Sequence, residues 1–441
     1  MNSKLCPALG GLALVACCVF AVAADPSWKT VEQLTAEERA LFDPSTSKPR
    51  DSKYAYIPAE PYPFKAPFTA EEMGFRSAEF VHISRWPYSL VDVFGVITSS
   101  GYINQGVSVG YITQSAAPGL DGYMRGINVG DVQSRWSLFS TFPPEAEAEQ
   151  QLWILYRTDQ KFSTKMDFFI YSPQLRRVRR QPQPRRDQRF PDNAQTFDDL
   201  IGRDPWELDW SLLGTDVIHE TVRFPNTRQH IILNEPPKGY VEYATSAIKP
   251  MGEQYPFYTA DGGVDCWVLK AEVKSDWVPG YNEKTLIFWV DKHNFYPLRT
   301  EKYDHKGELI MVEVRNAKQQ NPARGEFGYA ALMSTYWDLP HDIISYSVHD
   351  AHNPHSWTAE QADMIFTPEF MRREWLVEPS KSQALIREPD QYFMRPLLYR
   401  DKFPAVRKIV IAPELDARIQ AQEAAGHLIF ETGGTTTTAK Q

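Results

Sequence analysis

Seven arginines and no lysine stand between Arg176 and Arg189, in Leu175-Arg-Arg-Val-Arg-Arg-Gln-Pro-Gln-Pro-Arg-Arg-Asp-Gln-Arg189. Guanidinium keeps its charge at every accessible pH and offers a planar fork that matches carboxylate or phosphate, so exclusive use of arginine points to organised anion pairing. If Leu175 to Arg180 is a strand, Arg177 and Arg179 project to one face and Arg176 and Arg180 to the other. Three prolines then keep Gln181 to Pro191 extended, carrying Arg185, Arg186 and Arg189. Two sources of negative charge fit these residues. One is internal: Asp187, Asp192, Asp198, Asp199, Asp204, Glu207 and Asp209 follow closely. The other is external, an anionic headgroup or a partner protein.

A second constellation is His341, His349, His352 and His355, within fifteen residues. Imidazoles beside Asp350 can bind a transition metal, but the spacing matches no metalloenzyme signature and puts no two histidines on one helix face. No metal and no cofactor is expected, and His349, His352 and His355 are the residues at which a metal would be sought. Catalytic signatures are absent too: no Gly-x-Ser-x-Gly elbow, no phosphate-cradling glycine loop before a helix. Cys266 sits in the strand pattern Val264-Asp-Cys-Trp-Val-Leu269, which predicts a buried thiol. A binding protein, not an enzyme, is the expectation. A metal-dependent hydrolase built on the histidines is the remote alternative.

The elements that must hold these groups are mostly strands. Met1 to Ala24 reads as an export signal, with Lys4, an apolar run to Phe20 and small residues at Ala21-Val-Ala-Ala24. A periplasmic location follows. Leu14-Val-Ala-Cys17 also fits a lipoprotein cleavage box, so an outer-membrane lipoprotein anchored through Cys17 is the minor alternative. Beyond the signal only Cys266 remains of four cysteines, so stability must come from a hydrophobic core and not from disulfides. Lys4 is the one charge before Asp25, which leaves 46 basic against 56 acidic residues in the remainder. That net −10 argues against nucleic acid as a partner.

Residues 25–80 read as an extended arm rich in proline and aromatics, flanked by short helices with capping boxes at Thr35/Glu38 and Thr69/Glu72. From Leu90 strands dominate. Val91 to Ile97, Tyr102 to Ile112, Leu152 to Arg157, Met166 to Tyr171, Thr215 to Phe224, Tyr240 to Ala244, Cys266 to Val273, Leu286 to Asp291, Phe295 to Asp304, Glu308 to Arg315, Tyr329 to Trp337 and Ile343 to His349 describe an antiparallel meander with short turns. Several of these strands are apolar on both faces, so both faces need cover. Trp153, Phe168, Phe169, Phe288 and Trp289 are the candidates for lining a cavity. Helices are expected at Ala359 to Phe366, Pro368 to Leu376 and Pro413 to Ala425, with a disordered tail at 432–441.

Three stretches together resemble the DUF1329 family of exported proteins: Leu152-Trp-Ile-Leu-Tyr-Arg157, Asp167-Phe-Phe-Ile-Tyr-Ser-Pro-Gln-Leu-Arg-Arg-Val-Arg-Arg180, and Asp198-Asp-Leu-Ile-Gly-Arg-Asp-Pro-Trp-Glu-Leu-Asp-Trp-Ser-Leu-Leu-Gly214. Phe288-Trp-Val-Asp-Lys-His-Asn-Phe-Tyr-Pro-Leu-Arg299 and Tyr303-Asp-His-Lys-Gly-Glu-Leu309 add to the likeness, which spans residues 81–431. The resemblance implies a mainly β fold like that of the LolA and LolB lipoprotein-sorting carriers: a strongly curved antiparallel sheet, an unclosed barrel, with helices covering its concave face. It implies a carrier or accessory protein for a lipid-like or other amphipathic molecule in envelope transport. The alternative is an adaptor that docks on an RND-type transporter, or another outer-membrane partner, through the arginine- and proline-rich loop.

Overall fold

The structure is a computed structural model and describes residues 27–50, 64–78, 88–98, 103–114, 130–142, 149–156, 161, 165–190, 193–219, 230–235, 239–244, 250–251, 255, 257–293, 295–319, 329–349, 353–354, 363–371, 375–379 and 392–396. Its strands are β1 (Lys29–Thr30), β2 (Tyr88–Thr98), β3 (Ile103–Gln114), β4 (Val132–Phe142), β5 (Gln150–Tyr156), β6 (Met166–Ser172), β7 (Arg177–Gln181), β8 (Leu208–Ile218), β9 (His230–Glu235), β10 (Gly239–Ala244), β11 (Val264–Val273), β12 (Glu283–Asp291), β13 (Pro297–Asp304), β14 (Leu309–Gln319), β15 (Tyr329–Asp338), β16 (Ile343–His349), β17 (Asn353–Pro354), β18 (Trp375–Pro379) and β19 (Tyr392–Pro396). The helices are α1 (Ala36–Ala40), α2 (Ala70–Ala78), α3 (Phe197–Ile201) and α4 (Pro368–Met371), and residues 363–365, within the helix expected over Ala359 to Phe366, are helical too.

One sheet of 15 strands dominates, ordered β1-β8-β11-β12-β13-β14-β15-β16-β2-β3-β4-β5-β6-β7, with β17 also on β2. Every pairing in it is antiparallel. The order shows two meanders, β2 to β7 and β8 with β11 to β16, joined in the middle where β16 pairs with β2, while β9 and β10 pair with each other in a separate hairpin. The open edges are β7 and the two-residue β1, which pairs with β8 only at Gly214 and Thr215, so the cut falls between β7 and β8, two strands consecutive in sequence. The chain from 182 to 207 has to cross from one side of the cut to the other.

Directly opposed residues in an antiparallel ladder share a face. Ile112, Trp136, Trp153 and Phe168 form one such row. Thr300, Glu313, Tyr336 and Ser345 form another, with Lys302 and Arg315 two residues away on the same side. Helix α3 touches both rows. Phe197 and Ile201 pack into the cluster of Ile112, Trp136, Trp153, Leu155 and Met166, while Asp199 bonds Lys302 and, through its carbonyl, Arg315. A face that both halves present to one short helix is concave. The result is an unclosed barrel, mainly β, with helices on its concave side.

The described part of the amino-terminal arm covers another part of that side. Leu34, Ala70 and Met73 pack with Leu208, Trp210, Trp267, Leu269, Leu286 and Phe288. Gly74 makes this close approach possible: a Cβ there would lie 2.4 Å from the Trp210 ring. Both capping boxes expected in the arm are present, Thr35 with Glu38 and Thr69 with Glu72. Helix α4 packs on β5.

Some expected boundaries need correction. The helix expected over Pro368 to Leu376 ends at Met371, and Trp375 and Leu376 belong to β18. The strand expected from Leu175 starts at Arg177, because Arg176 adopts φ 49 in the turn before it. The strand expected from Thr215 begins earlier, at Leu208. Strands β4 and β9 were not anticipated. The export signal with Cys17, the Pro413 to Ala425 helix and the tail at 432–441 lie outside the described residues.

Candidate functional site

The crossover from 182 to 207 is the most highly charged part of the interior. Its helix begins at Thr196, whose hydroxyl accepts from the Asp199 amide at 3.3 Å while the Asp199 carboxylate accepts from the Thr196 amide at 2.8 Å. Asp198 and Asp199 thus occupy the first turn, where the helix dipole favours negative charge. Both are buried. Burial alone would raise the Asp199 carboxyl, but the Lys302 ammonium and the Arg203 guanidinium hold it at about 2.

Arg203 reaches Asp198, Asp199 and Glu283 at 3.7, 3.5 and 3.1 Å. Arg186 is buried between Asp198 at 3.4 Å and Glu207 at 3.0 Å, with its guanidinium 5.8 Å from the Tyr281 ring centre. Lys165 adds a bridge to Glu207 at 2.8 Å and another to Asp204. Burial opposes ionisation of Glu207, yet Arg186 and Lys165 bring it down to about 2. Asp204 goes the other way: burial raises it to about 6, with Lys165 pulling against and the Glu207 charge adding to the rise. This network locks the crossover to β6, β12, β13 and β14, and aromatic stacking holds its other flank. Trp153 lies 6.0 Å from both Phe190 and Phe197, which are 4.1 Å apart.

The seven arginines therefore divide. Arg186 is an interior ion-pair residue. Arg185 forks onto Asp187 at 2.7 and 2.6 Å, Arg189 reaches Asp338 at 2.6 Å, and Arg180 pairs with Asp167. Arg176, Arg177 and Arg179 are exposed, with no ion pair among the described residues. The aromatics also separate. Trp153 and Phe168 lie on the concave face against the crossover. Phe288 is buried beside Trp210, 5.5 Å between ring centres. Phe169 and Trp289 lie on the other face, where the Trp289 indole donates to Asp216 at 3.0 Å under the Arg299 guanidinium. Cys266 is fully buried, and burial pushes its thiol far above the usual range.

His349 ends β16, and its side chain lies outside the described residues, as do His352 and His355. Among the described residues no group of three or more histidine, cysteine or acidic side chains is placed to hold a metal ion.

An open cleft of 990 Å³ lies where the crossover meets the strand ends. One wall is Arg185 to Arg189. The others come from the turns β11–β12 (Gly280 to Glu283), β13–β14 (Asp304 to Lys306) and β15–β16 (Asp338 to His341), with Ile310 and Met311 of β14 between them. Of the arginines and histidines singled out in the sequence, Arg185, Arg189 and His341 reach it. Lys306 and His305 belong to a turn whose sequence signals a reversal and nothing more. The cleft is assembled from four segments distant along the chain, so no local spacing foreshadows it.

Over residues 128–372 the chain matches the family described as "Protein of unknown function (DUF1329)". Among solved structures it is similar to a DUF1329 family protein from Desulfovibrio piger, at 14% identity and TM-score 0.45, covering 68% of this chain and 95% of that one. It is also similar to a LolA superfamily protein from Nitrosomonas europaea, at 12% identity and TM-score 0.40, covering 69% and 99%. No curated protein matches the chain.

Proposed function

The chain belongs to the DUF1329 family, and from that premise we propose that it is an exported envelope protein, a carrier or accessory that binds a small amphipathic ligand in the cleft beside the crossover. The observation that carries this reading is the cleft itself, 990 Å³ and open, bounded by charged turns with an apolar strip at Ile310, Met311 and Pro340. That volume is at the upper end of ordinary small-molecule pockets. The resemblance implies a ligand in the cavity of the curved sheet, between its concave face and the covering helices. The crossover packs on the concave face against Trp136, Trp153 and Met166 and α2 against Trp210, Leu269 and Phe288, so the ligand is assigned to the margin of that face. The action is binding and release. The export signal and the mainly β framework support a place in the periplasm.

Native mass spectrometry of the purified protein is the test. A bound small molecule that disappears when Ile310→Trp fills the cleft is expected. Protein that carries no ligand and leaves a fluorescent fatty-acid probe undisplaced would sink the reading.

One observation favours a second reading, docking on an envelope partner: Arg176, Arg177 and Arg179 are exposed beside the open edge of β7. Arg186, buried in its ion pairs with Asp198 and Glu207, contributes little to such a surface. Reversing the three exposed arginines to glutamate would then abolish binding to a purified transporter component, while Ile310→Trp would leave it unchanged.

A further inference from the structure

The cleft holds charges of both signs, but its carboxylates are already engaged. Asp187 accepts from Arg185 and from the Asn282 amide at 2.8 Å. Glu283 accepts from Arg203 at 3.1 Å. Asp304 accepts from the amides of Lys306 and Glu308 at 2.8 and 2.9 Å, and Asp338 from Arg189 at 2.6 Å and His341 at 3.0 Å. Each acidic group on the wall thus serves the protein's own donors.

The donors are not exhausted in the same way. The Lys306 ammonium, exposed in the β13–β14 turn, makes no hydrogen bond or ion pair among the described residues. Arg189 binds Asp338 through one terminal nitrogen, and a guanidinium has five N–H groups in all. Arg185 engages Nε and Nη2, leaving Nη1 near Gly280. A cation entering this cleft would have to compete with the protein's own donors at both oxygens of Asp187 and of Asp338, whereas at Glu283 and Asp304 the donors named occupy one oxygen each. An anion would meet N–H groups with capacity to spare, two of them on guanidiniums already fixed in place by their carboxylates, so little ordering is needed on binding.

We infer that the ligand's polar end is an anion, a carboxylate or a phosphate, held by Lys306 with the outer N–H groups of Arg185 and Arg189, while its apolar part lies on Ile310, Met311 and Pro340. This rests on the cleft being the ligand site, as proposed above, and adds the chemical class of what it binds.

The experiment is calorimetric titration with octyl phosphate, octanol and inorganic phosphate, on the full chain and on Lys306→Glu and Lys306→Arg. Octyl phosphate is expected to bind, to weaken about tenfold or more in Lys306→Glu, and to recover in Lys306→Arg, with octanol at least tenfold weaker throughout. Inorganic phosphate competing as well as octyl phosphate would identify a free anion as the source, and poor competition an amphipath's headgroup; either upholds the anionic site. Octanol binding as tightly as octyl phosphate, or indifference of octyl phosphate to Lys306→Glu, would overturn the inference and leave the cleft reading standing. Binding of none of the probes would overturn both.

Discussion

Arg186 and Arg177 stand nine positions apart in one basic run, and their environments give them opposite roles. Arg186 neutralises Asp198 and Glu207 in the interior, so Arg186→Met leaves two buried carboxylates short of a partner and should cost about 3–5 kcal/mol. Arg177→Glu, at an exposed edge, should change stability by no more than about 0.5 kcal/mol. Urea denaturation of both variants checks the contrast. The buried acids also fix a pH profile. Asp199 and Glu207 are held at about 2, below the ordinary carboxylate values of about 3.9–4.3. Their contribution, about 2–3 kcal/mol each, is complete above roughly pH 5 and is lost as pH falls toward 2. Asp204, raised to about 6, has the opposite sign: stability declines as pH rises from about 4 to 6 and is level above that. In Asp204→Asn the decline between pH 4 and 6 should vanish while the acid limb persists, which stability curves from pH 2 to 7 would reveal.

At the scale of elements, α3 is far too short to be stable alone. Its five residues depend on the Thr196 cap and on what Phe197, Asp199 and Ile201 touch. Thr196→Ala should cost about 1 kcal/mol, and Phe197→Ala about 3–5 kcal/mol, since it opens a cavity against Trp153 and Phe190. Thermal melts that rank the two the other way would show that the cap, and not the aromatic stack, holds the crossover. This helix was legible in the sequence: Thr196 followed by paired aspartates and an apolar pair is a helix-start signal. Strand β4 was not. Val132-Gln-Ser-Arg-Trp-Ser-Leu-Phe-Ser-Thr-Phe142 has four polar residues among its first six and only two β-branched ones, and it becomes a strand because β3 and β5 flank it. The boundary at Arg176 was missed for a related reason, since a left-handed turn residue is marked by glycine or asparagine and seldom by arginine.

For the whole molecule, the crossover ties the two meanders together: it stacks on Trp153 in one and bonds Lys302, Tyr336, Asp338 and Ser345 in the other. The two halves should therefore open as one unit. Hydrogen exchange should give the same opening free energy for the central amides of β5 and β14; a gap of several kcal/mol between them would show that each half unfolds separately. The curved antiparallel sheet with covered faces was legible from strands that are apolar on both sides. The cleft was not, because Arg189, Lys306 and His341 come together only through the sheet's curvature.

The pairing of β16 with β2 sets a kinetic requirement. Val96 lies opposite Ser345, so about 250 residues of chain must be in place before the two central strands can meet, and closing so long a loop is entropically slow. Until then β2 offers a bare hydrogen-bonding edge to any neighbouring chain. Refolding from denaturant should be slow, on the order of seconds or longer, and its yield should fall as protein concentration rises. A cell that makes this chain must shield that edge through the interval between the arrival of the two strands.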